Sequence, residues 1–304
     1  MDRLDAMTAF VMTVENGGLS AAARKLGRSP ASITRAVAFL EDSLGVRLLR
    51  RTTRSVKITE AGDRYLVVCR QVLADLGEAE RVARGALATP HGTLAVTAPV
   101  AFGGHFVRRV VDAYLERHAD VRVRLSLLDR VVSLVDEGID LAIRIAHMPD
   151  SALIATKLGE VRRLVCASPK YLSRHGRPRS PRDLGSHGCI SFSALTPTDN
   201  WTFGAGRGGG RSIHVKVRPR LIVNSAEAAI GSAIDGCGIT CVLSYQVALA
   251  LREGRLVRLL EPHESAPVPV HLVYPAGSIT AAKVRAFVDL GVPRLRKDLG
   301  FHGG

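Results

Sequence analysis

The chain has 304 residues, 46% of them apolar, enough for more than one domain with a core of its own. No apolar run approaches a membrane span, and the start MDRLDAMTAF carries acids where a secretory leader is basic, so the expected setting is soluble and cytoplasmic. Lysine and arginine outnumber acids by 14, a balance that suits a polyanionic partner.

The placement of that charge says more than its sum. Between Arg24 and Lys57 nine basic residues stand against two acids, Glu41 and Asp42, so half of the surplus lies in about a ninth of the chain. Five cysteines (69, 166, 189, 237 and 241), odd in number and scattered, read as reduced and mostly buried.

Leu4, Met7, Phe10, Val11 and Val14 recur at three- and four-residue steps and predict an amphipathic helix near 3–15. Asn16-Gly17-Gly18 ends it, Ser20 is placed to cap a second helix rich in alanine, and Gly27 closes that one. Ser29 caps a third helix with Pro30 at its first position, where the missing N–H costs nothing. On this helix Ile33, Val37, Leu40 and Leu44 form a buried stripe. Ala31, Ser32, Arg35, Ala38 and Asp42 fall opposite. Small side chains admit a helix to base edges, and arginine makes a bidentate bond to guanine. After Gly45, Val46–Arg50 and Val56–Ile58 read as short strands, with Arg51-Thr52-Thr53-Arg54-Ser55 at the tip between them. Arginines and hydroxyls on a hairpin tip suit phosphate oxygens or a narrow minor groove.

Thr59 is placed to cap a fourth helix with Glu60 and Asp63 in its first turn. Along it Tyr65, Cys69, Val72, Leu76, Ala79, Ala83 and Ala86 alternate steps of four and three, a heptad seam that could pack on its own domain but, with little chain nearby to cover it, is more economically paired with a second copy. A dimer presents two reading helices and expects a two-fold related site on double-stranded DNA. Thr89-Pro90-His91-Gly92 stops the helix and forms a hinge. The expected organisation is a DNA-binding module over 1–59, a linker and dimerisation helix over 60–88, the hinge at 89–92, and a larger domain over 93–304.

From Thr93 strands and helices alternate. Leu94–Thr97, Val121–Leu127, Asp140–Ile145 and Arg163–Ala167 read as strands, His105–Arg117 and Val131–Glu137 as helices. Strands near Cys189–Phe192 and Val217–Val223 and a helix from Ala226 form a second unit. Val270–Tyr274 and a helix over Ala281–Leu290 return to the first. The pattern predicts an α/β domain with a mainly parallel sheet, in two lobes: lobe I about 93–165 and 268–304, lobe II about 166–267. A cleft between such lobes is a natural small-ligand site. Thr97 leads into the APVAFGG turn at 98–104, where Pro99, Val100, Ala101 and Phe102 precede a helix N-terminus whose free N–H groups favour a carboxylate or similar anion. Asn224 and Ser225 hold the matching position in lobe II.

Other patterns carry less. The glycine-rich run at 204–210 precedes the alternation of a strand, Ser212–Val217, whereas a phosphate cradle opens a helix, so it reads as a hairpin loop. Cys237 and Cys241 have no histidine near enough for a zinc pattern, and the ten histidines are scattered singly. Gly185-Ser186-His187-Gly188 lacks the spacing of a nucleophile elbow. No metal, no cofactor and no catalytic constellation is expected.

The stretch LSAAARKLGRSPASITRAVAFLEDSLGVRLLRRTTRSVKITEAGDRYL, from Leu19, closely resembles the winged helix-turn-helix of LysR-type transcriptional regulators, within a match covering residues 3–66. The segments DRVVSLVDEGIDLAIRI, LVCASPKYLSRHGRP and PRDLGSHGCI resemble a large subgroup of that family, although Ala119 and Ser244 stand where its typical members carry proline. The resemblance implies that the third helix reads the major groove through Ser32, Thr34 and Arg35, with Ser29 and Ala31 beside them. It assigns the hairpin as a wing contacting DNA through Arg51, Thr52, Thr53 and Arg54. It also implies a dimer or tetramer, and a periplasmic-binding-protein-like domain holding a small-molecule effector between its lobes. Two rivals remain at this stage: an enzyme or solute-binding domain with a helical contact module, and a nonspecific architectural DNA binder.

Overall fold

The computed structural model describes residues 2–51, 56–83, 89–148, 153–204 and 212–302. In the N-terminal module α1 (Arg3–Glu15), α2 (Leu19–Leu26) and α3 (Pro30–Leu44) pack with a hairpin, β1 (Leu49–Arg51) and β2 (Val56–Ile58), and with the start of α4 (Glu60–Ala83). Ile33, Val37 and Leu40 of the predicted stripe are fully buried with Phe10 and Ala22, and Leu44 is half-buried. Their removal from water is what holds three short helices together, since none is long enough to be stable alone. Ser29 Oγ accepts from the Ser32 N–H at 3.2 Å, Pro30 opens α3, and Gly27 and Gly45 close their helices in the left-handed conformation. α2 starts two residues sooner than a Ser20 cap requires, with Gly18 at the cap position. β1 is shorter and later than Val46–Arg50, because the chain before it is spent turning around the Glu41 carboxylate.

Thr59 caps α4 as its position suggested, accepting from the Gly62 N–H at 2.9 Å and donating to the Arg47 carbonyl at 2.8 Å. Gly62 is what permits this approach: a Cβ there would lie 2.1 Å from the Leu48 carbonyl oxygen.

The larger domain holds two five-stranded sheets. The first runs in the order β4 (Val121–Leu127), β3 (Gly92–Ala98), β5 (Leu141–Ile145), β14 (Val268–Pro275), β6 (Leu153–Val161). The second runs β11 (Pro219–Val223), β8 (Cys189–Phe192), β12 (Ile239–Leu243), β7 (Arg163–Ala167), β13 (Val257–Leu259). In each sheet only the strand in fourth place opposes the rest, so the mainly parallel character expected from the alternation holds. Those two strands, β14 and β7, are the ones the chain lays down on crossing between lobes, at 260–267 and at Arg162. Arg163–Ala167 therefore belongs wholly to the second sheet, pairing with β12 and β13 rather than with β6, its neighbour in sequence.

Two helices differ from the alternation pattern. The one expected from His105 runs over 100–117 (α5), with a π turn at Gly103–Val107. Its glycines lie within the helix instead of opening a turn, and Gly103 packs where a Cβ would meet Leu127 at 2.1 Å. The helix expected over Val131–Glu137 is a single turn at 134–138. Three β-branched valines in seven residues disfavour it, and Gly138, at φ 59°, ends it. Residues 131–138 are nevertheless fastened, Arg130 to Glu137 at 2.9 Å and Arg144 to the Val132 carbonyl at 2.9 Å.

The remaining helices are α6 (Pro169–His175), α7 (Ala226–Ile234), α8 (Ser244–Arg252) and α9 (Ala282–His302), the last continuing through Pro293 well past the expected Leu290. The hairpin of β9 (Asn200–Phe203) and β10 (Ile213–Lys216) flanks the glycine-rich run, of which 205–210 lie outside the described residues. Lobe I is locked by Asp140, which accepts the Ala95 N–H at 2.8 Å and the Lys283 ammonium at 2.9 Å. Among the described residues no helix is long and apolar enough to cross a membrane, and no cluster has the makings of a metal site.

Candidate nucleic-acid interface and ligand cleft

The outward face of α3 carries the residues read from sequence. Ser29, Ala31 and Arg35 are exposed, while Ser32 and Thr34 are half-buried. Ser29 is occupied as the helix cap, and Arg35 has no ion-pair partner among the described residues. By contrast Arg28, directly before the cap Ser29, is tied to Asp5 at 3.0 Å.

The wing base depends on a residue that charge counting named but gave no role. Glu41 is fully buried, and its carboxylate accepts from the N–H groups of Leu48 (2.8 Å) and Leu49 (2.9 Å) and from Arg47 (2.9 Å). Burial alone raises its pKa, but the Leu49 N–H, the Arg47 guanidinium and the Leu48 N–H together outweigh it and hold the group below its ordinary range. The signal was in the sequence: Glu41 lies at the edge of the stripe, directly after Leu40. Arg47, counted with the wing arginines, thus orders the wing base. The tip residues Thr52, Thr53 and Arg54, and the side chain of Arg51, lie outside the described residues.

Along α4 the heptad seam divides. Cys69 is buried in the N-terminal core, its thiol pushed up to about 11 by burial, and the Tyr65 ring lies 6.3 Å from that of Phe10. Arg70 adds an ion pair to Glu15 of α1 at 2.9 Å. Val72 and Leu76 are instead exposed. The side chains of Ala79 and Ala83, and residue 86, lie outside the described set. All five cysteines are free, and only Cys237 is exposed.

Between the lobes is a cavity of about 400 Å³. Thr97 and Pro99 line it as read from sequence. Val100, Ala101, Phe102, Asn224 and Ser225 are not brought to its wall. The Val100 N–H donates to Asp129 Oδ1 at 3.0 Å, Phe102 is buried beneath, and Ser225 caps α7 by accepting the Ala228 N–H at 3.2 Å. The wall is completed by residues that sequence reasoning missed, among them Arg144, Arg163, Phe192 and Tyr245. Tyr245 belongs to lobe II by chain position yet packs into lobe I, its ring 5.5 Å from Phe102 and 5.7 Å from Phe106. Its hydroxyl is buried beside the Gln246 side chain, and burial, with the charge of Asp129 behind it, raises its pKa. No sequence signal marked it, because α8 was not predicted.

A helix-turn-helix with a wing, a connecting helix, and two α/β lobes around a cleft define a ligand-responsive DNA-binding regulator. Residues 4–63 match the bacterial regulatory helix-turn-helix proteins of the lysR family, and residues 88–295 match the LysR substrate binding domain. The chain belongs to the LysR family of transcriptional regulators. It is 30% identical to the regulator CrgA of Neisseria meningitidis serogroup B, covering 97% of this chain and 98% of that protein. It is 32% identical to an HTH-type transcriptional repressor of Pseudomonas aeruginosa, over 95% of this chain and 91% of the other. The structure of CrgA superposes with a TM-score of 0.60 at 30% identity, over 96% of this chain and 98% of CrgA. Full-length LysG from Corynebacterium glutamicum, with effector Arg bound, shares the fold with a TM-score of 0.64 at 21% identity, over 98% and 99% of the two chains. The protein is thus a DNA-binding transcriptional regulator with an effector-binding domain, and not an enzyme.

Proposed function

We propose that the chain works in the cytoplasm as a homo-oligomer that reads a two-fold related site on double-stranded DNA. In this reading Arg35 reads a base edge in the major groove, with Ser29, Ala31, Ser32 and Thr34 around it, and Arg51, Thr52, Thr53 and Arg54 hold the backbone or minor groove from the wing. The observation that carries it is an exposed arginine, without an ion-pair partner among the described residues, on the small-residue face of α3. Val72 and Leu76, followed by Ala79 and Ala83, form the pairing seam, while Tyr65 and Cys69 anchor the helix to its own module. Residues 1–59, 60–88 and 93–304 act as separate units about the hinge at 89–92. The effector is a small molecule bound between the lobes, and it shifts how the two winged modules sit on DNA.

Selection from a random oligonucleotide pool tests the first part and should return a two-fold related sequence. Arg35→Ala should then cost about 1–3 kcal/mol on that sequence and relax one base position, whereas Arg51→Ala should weaken all sequences alike and reduce the salt slope by about one. Recovery of no preferred sequence would leave an architectural binder as the better reading. Val72→Glu with Leu76→Glu should shift sedimentation toward the single chain.

A further inference from the structure

The inter-lobe cavity carries more positive charge than the protein neutralises, and we infer that its ligand is a small anion, a carboxylate on an apolar body, held between Arg144 of lobe I and Arg163 of lobe II. The inference rests on the cavity being the effector site and adds the chemical class of the effector.

The charges on the cavity wall are accounted for one at a time. Arg130 is met by both oxygens of Glu137, at 2.9 and 3.3 Å. Asp129 accepts the Val100 N–H at 3.0 Å, so the α5 N-terminus, the place where an anion is drawn by helix geometry alone, already has a protein carboxylate on it. Arg144 donates to the Val132 carbonyl at 2.9 Å, which satisfies one N–H and leaves the charge unmatched. Arg163 has no ion-pair partner among the described residues, since the nearby Glu264 is bound by Arg258 at 2.6 Å and approached by Arg162 at 4.0 Å. Arg144 and Arg163, one from each lobe, thus line one cavity against the single carboxylate of Asp129, which leaves a surplus of one positive charge among the described residues of the wall. His147, exposed at the same wall, adds no anion.

The rest of the wall fits the other half of the ligand. Val132, Phe192, Leu195, Leu243 and Tyr245 belong to the rest of the wall, most of it apolar. The volume of about 400 Å³ is within the range of small-ligand sites. Guanidinium groups match a carboxylate in geometry as well as charge. Two cations on opposite lobes repel one another, and an anion shared between them favours closure, so the ligand prefers one arrangement of the lobes over the other.

The test is calorimetric titration of the full-length protein with matched acid and amide pairs: benzoate and benzamide, phenylacetate and phenylacetamide, hexanoate and hexanamide. The acid should bind more tightly than its amide in at least one pair. Arg144→Ala and Arg163→Ala should each weaken that acid about tenfold or more while leaving amide binding unchanged, with partial recovery in Arg163→Lys. Circular dichroism of the unliganded variants checks folding, and Arg163, being exposed, is the safer site. Equal binding of acid and amide in every pair, or an acid indifferent to both arginines, overturns the assignment. Ala194→Trp, at an exposed position on the cavity wall, separates the two levels. A ligand that ignores the arginines but is excluded by Ala194→Trp leaves the cleft as the effector site and removes only the anion. A ligand that also binds Ala194→Trp undiminished removes the cleft as well.

Discussion

The two most deeply buried carboxylates, Glu41 in the N-terminal module and Asp140 in lobe I, are served over very different chain distances. Every partner of Glu41 comes from residues 47–49, within one turn of chain after its own helix. Asp140 takes the N–H of Ala95, 45 positions back, and the ammonium of Lys283, 143 positions ahead. The DNA-binding module therefore closes on itself locally, whereas lobe I is complete only when the end of the chain has returned. Contacts of the second kind carry a larger loop-closure cost and form later.

The comparison can be broken or sharpened by substitution, beginning with the largest effect. Lys283→Met leaves Asp140 buried and unpaired and should cost about 3–5 kcal/mol in denaturant unfolding of the effector domain. Pairing it with Asp140→Leu should recover much of that loss, because the desolvation penalty goes with the charge. An equal loss in the unfolding of the DNA-binding module would contradict the separation of the two. Glu41→Ala strips two buried N–H groups of their acceptor and should cost about 2–4 kcal/mol, confined to the N-terminal module and to DNA affinity.

Acidity probes the same carboxylate. Because the folded pKa of Glu41 is below its unfolded value near 4.3, its contribution is complete above that pH and is lost as pH falls through the lower folded value. Unfolding of the N-terminal module followed from pH 6 downward should thus steepen below about pH 4, and Glu41→Gln should flatten that fall. The smallest effect belongs to Ser244→Pro. Proline is tolerated at the first residue of α8, but it deletes the Ser244 N–H bond to the Arg162 carbonyl (2.8 Å) and the hydroxyl that accepts the Arg162 N–H (3.2 Å). About 1 kcal/mol and faster amide exchange at Arg162 are expected.

The same contrast explains what could be read from sequence. The helix caps Ser29 and Thr59, the stripe on α3 and the glycine stops are local rules, and all were legible. The lobes were legible as alternation, and Thr97 and Pro99 as turn chemistry at a strand end. Arg144, Arg163 and Tyr245 were not, because their meeting depends on which strand pairs with which, and no periodicity records that. The short turn at 134–138 misled for a related reason: valine spacing imitates a helix period without helix propensity.

The two strands that oppose their sheets also decide how the lobes are able to move. Each is entered directly from the opposite lobe, so the chain passes between lobes only at Arg162 and at 260–267, and Arg162 approaches Glu264 of the second passage at 4.0 Å. The two crossings thus lie side by side at one edge of the lobes. Ser244, in place of the subgroup's proline, adds a latch to the first of them. A change in the angle between the lobes would therefore fall on the backbone dihedrals of these two crossings.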